Sequence, residues 1–116
     1  MSNRSVILLL GSDDAEAQSI VSKAIDIIAL AIGEVVKVSE SFRSKAYGFT
    51  SEREFINQAI EVVVDIDAYE LLRRINLIEA LLGRDRDEEQ RVKAKRNEAY
   101  ASRPIDIDII FYGTET

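Results

Sequence analysis

Pro-Ile-Asp-Ile-Asp-Ile-Ile-Phe-Tyr, residues 104–112, is the stretch on which the interpretation of the fold depends. Isoleucine and aspartate alternate at its start, the period-two pattern of a strand with one apolar and one polar face. Proline is tolerated at the first position of a strand. The pattern therefore predicts a strand with isoleucines toward the core and with Asp106 and Asp108 together on the opposite face.

The first third of the chain predicts a strand and an amphipathic helix. Residues 5–10 (SVILLL) form an apolar run, which favours a strand that is central or buried on both faces. Apolar residues then recur at helical spacing, so we predict a helix over residues 13–32. Ser12 or Asp13 can cap its first turn, and Gly33 can end it.

The middle of the chain predicts two strands and a second helix. Residues 35–42 are strand-like, residues 44–54 read as a polar loop, and residues 55–66 form the next strand. Asp67 begins the second helix, with a glutamate three residues later as in a capping box. Gly83 ends that helix.

The predicted order of elements is β-α-β-β-α-β. This is the ferredoxin-like α+β arrangement, an antiparallel sheet with two helices on one face. Residues 84–103 are polar and lack apolar periodicity, so they are predicted to be a long loop or an extension of the helix. No repeat or linker divides the sequence, and we expect residues 1–116 to form a single domain.

Composition narrows the chemistry. The chain has no histidine and no cysteine, which excludes an imidazole base, a thiolate nucleophile and cysteine or histidine metal sites. Carboxylates and arginines remain, and these suit oxygen-bound cations such as magnesium and phosphoryl-type transfer. The net charge of −6 argues against nucleic acid as a partner. We expect neither a membrane span nor a signal peptide, hence a cytoplasmic protein. The sequence leaves the oligomeric state open.

Asp106 and Asp108 are the strongest candidates for chemistry. Side chains at i and i+2 of a strand lie about 6.5–7 Å apart on one face, and two carboxylates held together call for a cation. Arginines that suit phosphate lie nearby in sequence at positions 84, 86 and 103. The alternative is that the aspartates are the solvated positions of an amphipathic strand and that the arginines belong to a solvated charge run.

Five segments resemble one known family. LIEALLGRDR (residues 77–86) and RPIDIDIIFYG (103–113) closely resemble the signature of 6-hydroxymethyl-7,8-dihydropterin pyrophosphokinases. VILLLGSDD (6–14) resembles the family's opening strand and turn. SFRSKAYG (41–48) and FINQA (55–59) resemble its substrate loop and its asparagine-bearing strand. The family transfers the β,γ-pyrophosphoryl group of ATP to a reduced pterin in folate biosynthesis, with two magnesium ions.

The resemblance implies roles for individual residues. Asp106 and Asp108 would bind magnesium, and Arg84 and Arg103 would act as catalytic residues that stabilise charge on the moving pyrophosphate. The residues implied on the ATP side are Glu79, Arg86, Tyr100 and Ile109. The residues implied on the pterin side are Ser44, Ala46, Tyr47, Phe55 and Asn57.

Each of these roles has a simpler alternative. Phe55 could belong to the core, and Asn57 could satisfy a turn or a sheet edge. Glu79 could be an exposed helix residue, and Tyr100 an incidental surface aromatic.

The sequence also departs from the family. Asp13 stands where asparagine is usual, and Lys45 and Ala46 replace prolines of the substrate loop. The family continues beyond this last strand with a His-Pro motif and a second pterin-covering aromatic, so the resemblance implies a short form that lacks this segment. Two alternatives to an enzyme follow. One is a catalytically degenerate nucleotide-binding or protein-interaction module, and the other is a dimerising regulatory domain.

Overall fold

The computed structural model describes residues 3–47, 52–84 and 104–113. Their elements are β1 (Arg4–Ser12), α1 (Ala17–Ala31), β2 (Glu34–Val38), β3 (Phe42–Tyr47), β4 (Glu52–Val64), α2 (Ala68–Leu81) and β5 (Asp106–Tyr112). The strands form one antiparallel sheet in the order β2-β4-β1-β5, and β3 also pairs with β4. This sheet with its two helices confirms the α+β, ferredoxin-like prediction.

The predicted strand over residues 35–42 ends earlier in the structure, at Val38 of β2, and its last residue begins a separate strand, β3. β2 and β3 follow one another along the same edge of β4. Between them Ser39 donates its N–H to the Ala59 carbonyl, and its hydroxyl accepts the Ala59 N–H. This side-chain bond takes the place of a ladder bond where the edge is interrupted.

The predicted loop over residues 44–54 was wrong at both ends, and residues 48–51 lie outside the described residues. Residues 44–47 belong to β3 and residues 52–54 belong to β4. Residues 42–45 are exposed, so no buried face imposes apolar alternation on this strand, and its sequence lacks the usual strand signal.

β1 lies at the centre of the sheet, as its apolar sequence predicts. Val6, Leu8 and Leu10 are fully buried and pack against both helices, through residues such as Ile28 and Ile75. We call this side of the sheet the helix face. The other side, onto which no helix of the described ranges packs, is the open face.

The two helices begin differently. Asp67 caps α2 as predicted, because its Oδ1 accepts the Glu70 N–H at 2.8 Å. The predicted start of α1 at residue 13 was wrong, since the helix begins at Ala17. Buried Ser12 still belongs to β1, and its hydroxyl accepts the Asp14 N–H. The chain therefore turns once more before the helix starts.

A register shift changes the facing of β5 halfway along. Leu8 pairs with Ile109 but Ile7 pairs with Phe111, so Ile110 is an extra residue, a β-bulge. The bulge returns Tyr112 to the helix face, where its hydroxyl donates to the Ile66 carbonyl at 2.7 Å. No helix in the described part of the chain is long and apolar enough to span a membrane.

A matched pair of leucine substitutions tests the position of the core. Leu8 is fully buried in β1, whereas Leu30 on α1 is 89% exposed. We expect Leu8→Ala to lower the free energy of unfolding by about 3–5 kcal/mol through lost burial and a residual cavity. We expect Leu30→Ala to change it by no more than about 0.5 kcal/mol. Urea unfolding followed by circular dichroism measures both, and similar values for the two variants would contradict this packing.

Candidate active site

Asp106 and Asp108 lie on the open face of β5. Their partners on β1 are Gly11 and Leu9, whereas Ile107 pairs with Leu10, whose side chain is in the core. Directly paired residues share a face of the sheet. The sequence-based prediction that the two carboxylates lie together, away from the core, is therefore confirmed.

The environment of Asp108 disfavours its ionised form. Desolvation is the largest cause that raises the pKa of this carboxyl, followed by the charge of Asp106 and a hydrogen bond with it. Glu79 raises the pKa further, and Arg84 partly opposes the shift. When both carboxylates are ionised, a bound cation stabilises the pair because it offsets their mutual repulsion.

The two carboxylates can supply part of the coordination shell of a magnesium ion. Within the described ranges, no group of three or more histidine, cysteine, aspartate or glutamate side chains is placed to hold a metal ion. Magnesium in nucleotide enzymes commonly takes one or two carboxylates and completes its shell with phosphate oxygens and water. Asp106 and Asp108 therefore fit a cation that arrives with a phosphate ligand.

Arg84, which follows the end of α2, contacts the carboxylate pair at Asp106. Gly83 has φ +99° and reverses the chain, so that the Gly83 N–H donates to the Ala80 carbonyl and the Arg84 N–H to the Glu79 carbonyl. These are the two bonds of a Schellman motif. The turn brings the Arg84 guanidinium to 2.8 Å from Asp106 Oδ1.

Glu79 is buried beside that arginine, with only 2% of its surface exposed. Its Oε2 accepts hydrogen bonds from Arg84 Nη1 and from the Ile107 N–H, each at 2.9 Å. The alternative that Glu79 is an exposed helix residue is therefore wrong. Its carboxylate joins the last turn of α2 to the outer edge of β5.

A row of paired residues links the carboxylates to the other half of the candidate site. Phe42 pairs with Asn57, Asn57 with Gly11, and Gly11 with Asp106, across four adjacent strands. Adjacent strands are about 4.8 Å apart, so Asn57 and Asp106 are about 9.5 Å apart on the same face. Because Gly11 has no side chain, the space above it, between Asn57 and Asp106, stays open.

Asn57 is held by the neighbouring strand. Its Nδ2 donates to Ser44 Oγ at 2.8 Å and to the Phe42 carbonyl at 3.3 Å. A methyl group at Gly11 would lie 3.0 Å from Asn57 Oδ1 and 3.6 Å from Phe55 Cδ1. Phe55 and Asn57 thus flank the space above Gly11, and Phe55 lies outside the core cluster.

The structure brings together only part of the predicted site. Asp106, Asp108, Arg84 and Glu79 meet at β5, and Ser44, Phe55 and Asn57 meet at β4. Ile109 pairs with Leu8 and packs partly buried on the core, so its side chain is on the helix face. Ala46 and Tyr47 lie in β3, where the structure describes only their main chain. Arg86, Tyr100 and Arg103 lie outside the described residues.

Two contributions escaped the sequence-based prediction. Gly11 forms the floor between the two halves, and the Phe42 carbonyl helps to orient Asn57. The signal available for Gly11 was the resemblance of residues 6–14 to the family's opening strand and turn, although the structure places Gly11 within β1. Nothing in the sequence indicates a main-chain acceptor at position 42.

Comparison with known proteins adds independent information. Residues 7–116 match the sequence profile of the 7,8-dihydro-6-hydroxymethylpterin-pyrophosphokinase (HPPK) family. The chain is similar to proteins named 2-amino-4-hydroxy-6-hydroxymethyldihydropteridine pyrophosphokinase. It is 28% identical to the one from Porphyromonas gingivalis over 92% of this chain and 68% of that protein. For the one from Aquifex aeolicus the identity is 32%, over 95% of this chain and 62% of the relative. For the one from Bacillus subtilis the identity is 25%, over 97% of this chain and 62% of the relative.

The raised pKa of Asp108 predicts that removal of its charge stabilises the cation-free fold. A carboxyl whose pKa rises on folding binds its proton more readily in the folded state, so its ionisation costs stability as the pH rises. In EDTA at pH 7 we expect Asp108→Asn to melt at a higher temperature than the parent. The gap should close as the pH falls through the Asp108 pKa, because the parent carboxyl is then protonated.

Thermal melts across this pH range measure the effect. Asp65→Asn, a substitution at an exposed position after β4, controls for the change in net charge. A lower melting temperature for Asp108→Asn at pH 7 would contradict the electrostatic description of the pair.

Proposed function

Because the chain belongs to the 7,8-dihydro-6-hydroxymethylpterin-pyrophosphokinase family, we propose that it transfers the β,γ-pyrophosphoryl group of ATP to 6-hydroxymethyl-7,8-dihydropterin, with magnesium. The observation that carries the proposal is the row Asn57–Gly11–Asp106, which joins a hydrogen-bonding group to a carboxylate pair across one sheet face. We further propose that residues 1–116 act as a single pyrophosphokinase-like domain. One core cluster that joins both helices to the sheet supports this.

The proposed reaction is a substitution at the β-phosphorus of ATP. The hydroxyl oxygen of the pterin forms a bond to that phosphorus, and the bond from the phosphorus to the α–β bridging oxygen breaks. AMP leaves with the bridging oxygen, and the hydroxyl proton passes to solvent. Phosphoryl-type transfer of this kind depends mainly on positioning and on stabilisation of charge, and the chain offers carboxylates and arginines for both.

The β5 end of the row would hold the triphosphate. Asp106 and Asp108 are the proposed magnesium ligands, and the bound ion would neutralise charge on the phosphate oxygens. Arg84, which contacts Asp106, is proposed to stabilise charge on the pyrophosphate as it moves. Arg103 is proposed for the same role by family resemblance.

The β4 end of the row would hold the pterin. Ser44 and the Phe42 carbonyl accept the two N–H groups of the Asn57 amide, so its Oδ1 would accept a hydrogen bond from an N–H group of the pterin ring. The ring of Phe55 borders the same space and offers a stacking surface. The span of about 9.5 Å to Asp106 lets a bicyclic ring reach toward the phosphates with its hydroxymethyl arm. Ala46 and Tyr47 are proposed to line the same pocket.

The remaining assignments are also proposals. Arg86 and Tyr100 are proposed for the ATP side by resemblance. Ile109 could contribute there through its main chain, because its side chain packs on the core.

AMP formation is the direct test of the proposed reaction. The purified protein is mixed with ATP, magnesium and 6-hydroxymethyl-7,8-dihydropterin, and AMP is measured by chromatography. We expect AMP that depends on the pterin, and we expect Asp108→Asn to lower the rate by at least about 10²–10³-fold, as loss of a charge-stabilising group does. Asp65→Asn should keep the parent rate.

Each outcome of this assay has a clear meaning. Unchanged turnover in a folded Asp108→Asn variant would overturn the role of the carboxylate pair. Absence of AMP from folded parent protein that still binds ATP would favour the non-catalytic nucleotide-binding module instead.

Asn57 provides a separate test of the pterin site. We expect Asn57→Ala to raise the KM for the pterin about tenfold, because loss of a hydrogen bond in a desolvated site costs about 1–3 kcal/mol. The KM for ATP should change little. Gln58→Ala is the matched control, since Gln58 is the next residue of β4 and its amide instead contacts the Ser39 carbonyl. Equal effects of the two substitutions on the pterin KM would contradict the assignment of Asn57.

A further inference from the structure

We propose that Glu79 is a positioning residue that makes Arg84 releasable from Asp106 when a divalent cation binds. The inference rests on the proposed function, since it assumes that Asp106 and Asp108 are the cation site. It assigns Glu79 a role toward the chain's own arginine and main chain, in addition to any contact with the nucleotide.

The first observation is the shared guanidinium. Arg84 Nη1 lies 2.9 Å from Glu79 Oε2 and 2.8 Å from Asp106 Oδ1. The side chains of Arg84 and Glu79 are 4% and 2% exposed, whereas that of Asp106 is 24% exposed. Arg84 is therefore a buried cation between a buried carboxylate and one that faces the open side of the sheet.

Release of Arg84 from Asp106 has an energetic cost, and Glu79 changes that cost. A divalent cation at Asp106 would compete with Arg84 for the same carboxylate. Withdrawing one partner from a buried ion pair is costly, because it leaves charge that the protein interior solvates poorly. Glu79 lowers that cost, since Arg84 keeps this charged partner on α2 while Asp106 turns to the cation.

The second observation concerns the main chain. The same Glu79 oxygen accepts the N–H of Ile107, the residue between the two aspartates. This bond fixes the outer edge of β5 to the end of α2 at the residue between the two aspartates. Glu79 thus holds the strand in place while it releases the arginine.

The test measures binding of Mn²⁺ alone, through the relaxation of water protons, without nucleotide or turnover. We expect Glu79→Gln, which keeps an acceptor for the Ile107 N–H, to weaken Mn²⁺ binding about tenfold. Arg84→Met removes the competitor and should tighten binding by about threefold or more. In the Arg84→Met background, Glu79→Gln should weaken binding by no more than about twofold, because the two residues act through one another.

Glu70→Gln is the matched control. Glu70 also lies on α2, but it pairs with Arg73 and Arg74 on the solvent side of the helix. The substitution removes the same charge from the same helix, and we expect Mn²⁺ affinity to change by less than about twofold.

The outcomes separate this inference from the proposed function. If the parent binds Mn²⁺ and Asp106→Asn/Asp108→Asn abolishes that binding, the cation site is established. Equal weakening by Glu79→Gln in both backgrounds would then overturn the positioning role, since Glu79 would act only as a nearby negative charge. Mn²⁺ binding that does not depend on the two aspartates would overturn the cation site, and the inference with it.

A second measurement guards against variants that do not fold. In the parent protein, nitrogen-15 signals of the Arg84 side chain should shift on addition of Mg²⁺ and stay slow in hydrogen exchange, because Glu79 retains the guanidinium. Signals that remain unchanged at saturating Mg²⁺ would show that Arg84 is not released and would overturn the proposal.

Discussion

The pairing of β1 with its two neighbours is the constraint on which the candidate site depends. Gly11 pairs with Asn57 on one side and with Asp106 on the other, so a single register sets the distance between the two halves. The same register places Leu8 and Leu10 in the core. A slip of one residue would turn the aspartates inward and the leucines outward. Burial of the core therefore also fixes the geometry of the open face.

The ionised carboxylate pair lowers the stability of the cation-free fold and at the same time favours binding of a cation. Desolvation is the main cause that raises the pKa of Asp108, and the negative charges of Asp106 and Glu79 raise it further. A site that awaits a cation has this property. The Schellman turn at Gly83 connects this electrostatic arrangement to the end of α2, because it returns Arg84 toward Glu79.

The sequence predicted those features that have a local cause. Alternation of isoleucine and aspartate predicted the facing of Asp106, and the Asp67 cap and the Gly83 stop predicted the bounds of α2. β3 was missed because its residues 42–45 are exposed and carry no apolar period. The start of α1 was missed because Ser12, the predicted cap, is the last residue of β1 and the helix begins five residues later. The burial of Glu79 depends on an edge N–H of β5, 28 residues away in the chain, and local sequence could not predict such a long-range contact.

A crystal structure with Mn²⁺, the dihydropterin and an ATP analogue with a methylene group in place of the α–β bridging oxygen would test the central claim most directly. The analogue holds the reactants together, because the bond that the proposed reaction breaks is replaced. We expect the anomalous signal of manganese between Asp106 and Asp108, and the pterin ring above Gly11 with its edge on Asn57. Manganese or pterin bound elsewhere, with the row from Asn57 to Asp106 empty, would contradict the account.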